Sequence, residues 1–483
     1  MSKEFTKQLL YMNGHWTHDL NQNYRESKNP ATNEAVGMYA IATSSQVDQA
    51  VQHAHLAFKS WRRTPAPERA VFLWKAAELF ERKRDQLAEV MTKEMGKVLA
   101  ETRGEVNVVI ETCRYMAGEG RRMYGETIAS GNNNRTITMN REPLGVVACI
   151  TPWNFPVALA AYKICAALIS GNTIVWKPAS EVALSAGIFM QVFHEIGLPN
   201  GVLNLITGSG SQVGMQLAEH EDVKVISFTG STEVGLLLSQ VGAKQLKRVS
   251  LELGGKNAAI VLQDANLDYA AECIVKGAYG TTGQKCTATS RVIVEQSIKV
   301  DLLKRVVKLT KELKIGNGLN ENIDIGPLVN EQQMKVVEKY VRIATEEGAL
   351  LECGGKKLAN EEGCFFEPTI FSDVKKEHTI AKEEIFGPVL AFIEVDSYEE
   401  AIEVNNDTKY GLSTSIFTSS LSIANRAAAE IESGLVYVNN GTANAEIGVA
   451  FGGMKYSGNG HREVSHHALD SMTEWKSVYM TYL

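Results

Sequence analysis

The spacing of hydrophobic positions changes along the chain. Thr64-Pro65-Ala66-Pro67-Glu68 is a helix-start signal, and Leu73, Ala76, Ala77 and Phe80 follow on one face at helical spacing. The first third is therefore read as helical, to about Tyr124. Residues 126–142 place β-rich segments on both sides of the turn cluster Gly131-Asn132-Asn133-Asn134, which predicts a hairpin, either an oligomer contact or a plain surface excursion. From Gly145 short apolar runs (GVVACIT, NTIVWKP, GVLNLITG, VKVISFTG, KRVSLELGG) alternate with helix-length segments such as PVALAAYKICAALI and VALSAGIFMQVFHEI. Right-handed crossovers wind this βαβαβαβαβ order into a parallel sheet covered by helices on both faces, with helix N-termini at its carboxyl edge. A second alternation begins at Asn257 (NAAIVLQD, RVIVEQ, then helices near 300–313 and 332–347) and predicts a second α/β domain ending near Gly458.

Composition narrows the class. With 483 residues, 44% apolar and 22% charged, the chain holds two large or about three ordinary core-sized units and is not disordered. A net charge of −7 leaves no broad basic face, so nucleic acid is not expected as a partner. The opening MSKEFTKQLLYMNGHW lacks the apolar core of a signal peptide. Pro152, Asn154 and Pro156 interrupt the most apolar stretch, 145–162, so no membrane span is expected either. Seven cysteines, odd in number and without a CxxC pair, suggest neither a disulfide framework nor a zinc site, and point to a reducing cytoplasm.

Several constellations carry chemistry. Gly208-Ser-Gly210-Ser-Gln-Val-Gly214 has one residue too many for a dinucleotide fingerprint and reads first as a glycine-rich turn. In Phe228-Thr-Gly230-Ser231-Thr-Glu-Val-Gly235, backbone N–H groups and Ser231 either receive a pyrophosphate or form a tight turn with a serine cap. Asn154, in Thr151-Pro-Trp153-Asn154-Phe-Pro156, either caps the following helix or donates to a developing oxyanion; on this stretch alone the cap is favoured. Glu252 sits between leucines at a strand end beside Gly254-Gly255, where burial would raise its pKa toward that of a general base. Cys286 lies among small, polar, flexible residues next to Lys285, a setting for a thiolate nucleophile rather than core packing.

Asn154, Glu252 and Cys286 in this order, with PWNFP at 152–156, TIVWKPAS at 173–180, FTGSTEVG at 228–235, LELGGKNA at 251–258, GQKCTATSR at 283–291 and EEIFGPV at 383–389, closely resemble the NAD(P)-dependent aldehyde dehydrogenase superfamily. The resemblance runs nearly end to end. It implies a Rossmann-type cofactor domain (1–123 and 144–254), an α/β catalytic domain (255–458), and oligomerisation elements at 124–143 and 459–483 serving a homodimer or homotetramer. It implies that Cys286 attacks the aldehyde, that Asn154 and the Cys286 N–H hold the oxyanion, that Glu252 activates water to release the carboxylate, and that Lys163 supports this proton network. Lys177 and Glu384 match positions that hold the two riboses. Trp153, Ser180, Gly230, Ser231, Gly235 and Phe386 match the rest of the cofactor site.

NAD-selective members commonly place Glu three residues after the lysine matching Lys177. Ser180 stands there, which leaves room for a 2′-phosphate and favours NADP+ or dual use over strict NAD+. Glu252 argues against an acylating, CoA-dependent member. The presence of thiol, amide and base argues against a non-catalytic one, and the lack of a paired His against a cysteine hydrolase. GQKCTATSR and GHREVSHHALDSMTEW are most similar to α-ketoglutarate semialdehyde (2,5-dioxovalerate) dehydrogenases. Tyr162 and Ala288 differ from the Arg and Cys common in succinate semialdehyde enzymes, which stay the alternative beside broad aliphatic specificity. A distal substrate carboxylate would need a basic partner, with Arg114, Lys285 and Arg291 as candidates.

Overall fold

Two seven-stranded sheets organise the chain in the computed structural model, which describes residues 6–17, 22–359 and 362–483. The first five residues of the opening stretch lie outside the described residues. The first sheet runs Arg248–Glu252, Val223–Thr229, Val146–Ile150, Thr173–Lys177, Leu203–Leu205, then Tyr11–Met12 and His15–Trp16, with its first five strands parallel. The second runs Leu350–Cys353, Thr369–Ser372, Val389–Val395, Arg291–Glu295, Ala258–Val261, Ser413–Phe417 and Leu435–Val438, parallel except at its first edge. Central strands such as VVACI and AAIV are buried at every position, which is why they read as continuous apolar runs rather than alternations.

The helical first third needs correction. Among the described residues before α1 (Ser44–Trp61) come five short strands, including Tyr24–Lys28 and Ala35–Ala40. Segments of two to six residues are too short to set up a period of their own, and pairing partners define them instead. The helix-start signal does open α2 (Ala66–Met95), which ends at Gly96 with φ +90, and α3 (Leu99–Glu119) packs along α2. A Cβ on Gly96 would lie 2.6 Å from Pro327 Cγ, so glycine answers both the left-handed backbone and the close approach. α4 (Ala158–Ser170) and α5 (Ala183–Glu195) follow two strands of the first sheet.

A hairpin does form at 126–143, and its long strand Arg135–Pro143 pairs antiparallel with Thr473–Thr481 in a three-stranded arm. The arm leaves Trp475, Tyr479 and Met480 exposed. All seven cysteines are free thiols, and among the described residues no helix is long and apolar enough to cross a membrane.

Candidate active site

A cavity of about 250 Å³ opens between the carboxyl edge of the first sheet and the loop entering the second. It brings together Trp153, Asn154, Gly230, Ser231, Cys286, Glu384 and Phe386, along with Thr229 and Leu253. Glu252, Lys163, Lys177, Ser180 and Gly235 do not line it.

Cys286 follows the short turn Gly280–Gly283, in which Thr281 and Thr282 hold φ near +55 and +58. This loop is a strained, pinned structure rather than the flexible one its composition predicts: Asn257 Nδ2 donates to the Cys286 and Ala288 carbonyls at 2.7 and 2.9 Å. A Cβ on Gly255 would lie 2.8 Å from the Cys286 carbonyl, which fixes glycine at that position. Burial first, then the nearby Glu384 and Glu252, push the Cys286 thiol up to about 12. The expectation that Lys285 makes a ready thiolate is therefore not met. Lys285 is directed at Gly280 and Glu101: a Cβ built on Gly280 would lie 2.7 Å from Lys285 Nζ and 3.3 Å from Glu101 Oε1.

Asn154 does not cap α4, whose start at Ala158 has no side-chain cap of its own. Its Nδ2 donates one hydrogen to the Gln284 carbonyl at 3.0 Å, and its buried Oδ1 has no partner. An amide nitrogen carries two hydrogens, so one N–H remains for an oxygen in the cavity that also holds the sulfur.

Glu252 ends its strand buried, with neither carboxylate oxygen in a close hydrogen bond and the Gly453 backbone N–H near enough to favour its charge. Desolvation first, then the neighbouring Glu463, hold its pKa well above the carboxylate range, while Lys163 and Arg462 pull it down. Its carboxylate faces Gly452, where an added Cβ would sit 2.5 Å from Oε1. Beside it the buried Lys163 pairs with Glu463, a partner 300 residues away that the sequence reading missed.

Cofactor-type residues are arranged in two groups. Within the cavity, the Trp153 and Phe386 rings meet edge to face at 5.4 Å, and Glu384 accepts the Gly255 N–H at 3.0 Å. Burial moves Glu384 up to about 7. A Cβ on Gly254 would lie 2.0 Å from Glu384 Oε2, so the glycine pair makes room for this carboxylate. Ser231 is a helix cap, taking the Val234 N–H at 3.4 Å, and Gly235 packs against Leu253 rather than facing the cavity. Further along the sheet edge, buried Lys177 donates to the Pro178 carbonyl at 2.9 Å, with burial lowering its pKa to about 8 and Glu181 opposing that. Ser180 Oγ donates to the Gly208 carbonyl at 3.1 Å. The glycine-rich turn at 208–214 lies against the same lysine, since a Cβ on Gly214 would be 3.5 Å from Lys177 Cδ. The unpartnered Thr229 Oγ1 and Asn154 Oδ1 in the cavity wall fit a polar, amide-bearing ring, and the Gly254 cradle and Glu384 fit a sugar diol.

None of the three cations suggested for a substrate carboxylate faces Cys286. Arg114 pairs with Glu81 and Glu111 on the surface, and Arg291 donates to the carbonyls of Lys256, Val404 and Asn405. Cys286 packs instead against an apolar cluster of Leu412, Leu435, Phe451 and Val464, which Tyr162, Tyr437 and Ile447 also join.

A sequence profile described as the aldehyde dehydrogenase family matches residues 16–478. The chain is 42% identical over 476 residues to an alpha-ketoglutaric semialdehyde dehydrogenase of Bacillus subtilis, covering 98% of each chain. It is 40% identical over 480 residues to an alpha-ketoglutarate semialdehyde dehydrogenase of Haloferax volcanii, again covering 98% of each. A solved E. coli structure described as an NADP dependent enzyme superposes with a TM-score of 0.96 at 36% identity, covering 99% of this chain and 98% of that one.

Proposed function

The chain belongs to the aldehyde dehydrogenase family, and from that premise we propose that it oxidises a semialdehyde bearing a distal carboxylate, such as α-ketoglutarate semialdehyde, through a thioester on Cys286. The observation that carries the chemistry is the shared cavity of Cys286 sulfur and the free N–H of Asn154. The substrate rests on the two relatives named for that semialdehyde.

The sulfur adds to the aldehyde carbon, and the Asn154 N–H and the Cys286 backbone N–H stabilise the oxygen that becomes negative. The hydride that leaves this carbon needs an acceptor, which NADP+ or NAD+ would supply when bound. Trp153, Thr229, Glu384 and Phe386 would hold its nicotinamide end, and Gly230, Ser231, Lys177 and Ser180 the remainder. Glu252 then takes a proton from water as it attacks the thioester, and the Lys163–Glu463 pair adjusts the charge beside Glu252. The arm of 124–143 with the closing strand supports association into a homodimer or homotetramer through its exposed aromatic residues, which sedimentation of the purified protein reads directly.

NADP+ or dual use is favoured because Ser180 is small and turned to Gly208, leaving Lys177 without a carboxylate at that position. Glu181, close enough to act on Lys177, tempers the preference toward dual use. Ser180→Glu is expected to raise the KM for NADP+ at least about tenfold more than that for NAD+, through like-charge repulsion at the 2′-phosphate. Steady-state titration of both cofactors checks this, and an unchanged ratio would show that position 180 does not face the ribose.

For the substrate, kcat/KM is expected to favour α-ketoglutarate semialdehyde over an uncharged aldehyde of equal length by about 10- to 100-fold, the scale of one hydrogen bond to a charged group. Equal efficiency on a neutral aldehyde and its ω-carboxylate analogue would discard the semialdehyde reading and leave the oxidation chemistry standing.

A further inference from the structure

Lys97, in the link between α2 and α3, and Glu101 and Glu105, four residues apart on one face of α3, take no part in the reaction above. In the structure these three residues touch both halves of the site. Buried Lys97 pairs with Glu105, and its Nζ donates to the backbone carbonyl of Asn154 at 2.9 Å while lying 3.9 Å from the Phe155 ring centre. Glu105 Oε1 accepts the N–H groups of Val157 and Ala158 at 2.9 and 3.0 Å, so a carboxylate from α3 caps the open N-terminus of α4.

Glu101 reaches the other domain. Its Oε1 accepts the Thr281 N–H at 2.8 Å, and Thr281 and Thr282 are the two β-branched residues held at φ near +55 and +58. That backbone region is disfavoured for such residues, and it persists only where the surroundings impose it. The Thr282 hydroxyl adds a second restraint by donating to the Gly326 carbonyl at 3.0 Å. The turn leads directly to Gln284, whose carbonyl receives the Asn154 amide, and to Cys286.

We propose that the start of α3 and the link before it form a positioning clamp: Lys97 and Glu105 fix the loop that carries Asn154, and Glu101 fixes the strained turn that carries Cys286, so one short segment sets the sulfur-to-amide geometry across the crevice. It rests on reading Cys286 as nucleophile and Asn154 as oxyanion donor. Glu101, Lys97 and Glu105 are positioning residues, since none of them lines the cavity.

Two substitutions separate reach from charge. Glu101→Gln keeps an acceptor oxygen at the same distance from the Thr281 N–H and removes the charge near Lys285, whereas Glu101→Asp keeps the charge and falls one methylene short. Glu101→Gln is expected to hold kcat within about threefold of the parent. Glu101→Asp is expected to lower kcat by about 10- to 100-fold with the cofactor KM within about twofold, because misplacement across the crevice weakens a bond made in the transition state. With aldehyde deuterated at C1, the Asp variant should show an isotope effect on kcat, since forming and collapsing the adduct becomes slow. Three outcomes overturn the clamp: both variants within threefold of the parent, the reverse ranking, or a parallel fall of kcat, cofactor affinity and thermal midpoint in both. Cys286→Ala run beside them keeps the two readings apart. An active Cys286→Ala enzyme sinks the nucleophile assignment itself, whereas an inactive one with unaffected Glu101 variants sinks only the clamp.

Discussion

Cys286→Ala is expected to lower reduced-cofactor formation by more than about 10⁴-fold while cofactor binding stays within about twofold. The size of the loss follows from the chemistry: Cys286 is the one thiol among the residues that line the cavity, and the Thr229 and Ser231 hydroxyls beside it are far weaker nucleophiles at neutral pH. The thiol is held up to about 12 by burial and by the carboxylates of Glu384 and Glu252, so at neutral pH it rests protonated and must lose its proton as it attacks. The parent rate should therefore rise with pH through the neutral range. Binding should survive because the ring contacts of Trp153 and Phe386 and the Glu384 carboxylate do not depend on sulfur. Quenching of tryptophan fluorescence by added cofactor measures it independently of turnover. Retention of more than about one hundredth of the parent rate would end the thioester mechanism.

Glu252→Gln is expected to give one equivalent of reduced cofactor per active site and then nearly stop, with the steady-state rate lower by about 10²–10⁴-fold. Hydride departure precedes hydrolysis, so an enzyme lacking its base should complete the first half-reaction and accumulate as thioester. Rapid mixing with excess aldehyde separates burst from steady state, and mass measurement of the quenched protein should find the acyl adduct. The pH dependence has a definite sign. Desolvation and Glu463 keep Glu252 protonated to higher pH than an ordinary carboxylate, so the parent's hydrolytic rate should climb as pH rises through that raised value, and the climb should vanish in the Gln variant. Loss of the burst together with turnover would move Glu252 earlier in the reaction, to removal of the thiol proton.

Much of this was legible in the residues because the parallel strands are buried on both sides. A run such as VVACI or TIVWK can pack in few ways, and the turn after each must lie at the carboxyl edge, where Asn154, Lys177 and Ser231 stand. The rest depended on distant partners. Asn154 looked like a cap because it precedes a helix, yet the cap of α4 comes from Glu105, some fifty positions earlier in the chain. Cys286 looked activated because Lys285 is its neighbour in sequence, yet Lys285 lies toward Gly280 and Glu101, and burial first, then Glu384 and Glu252, act on the sulfur. Polar restraints of this kind have no period and no local composition, so nothing around Glu105, Asn257 or Glu463 marks them. The strands before Ser44 escaped for the opposite reason, being too short to carry a pattern.

The pairing of Lys163 with Glu463 bears on the order in which the protein is made. A lysine in the first sheet's helix layer is buried beside a carboxylate supplied 300 residues later, and the same closing stretch sends the Met472 carbonyl back to Asn172 and lays Thr473–Thr481 along Arg135–Pro143. A chain still emerging from the ribosome holds most of the first sheet's strands well before it holds the charge that neutralises Lys163. The nascent first half thus waits, with a buried cation unmatched and a strand edge unpaired, through the translation of the whole second sheet. Chains released before residue 463 should consequently be recognised by chaperones and proteases as incomplete, even though every residue that touches the cavity has already been synthesised.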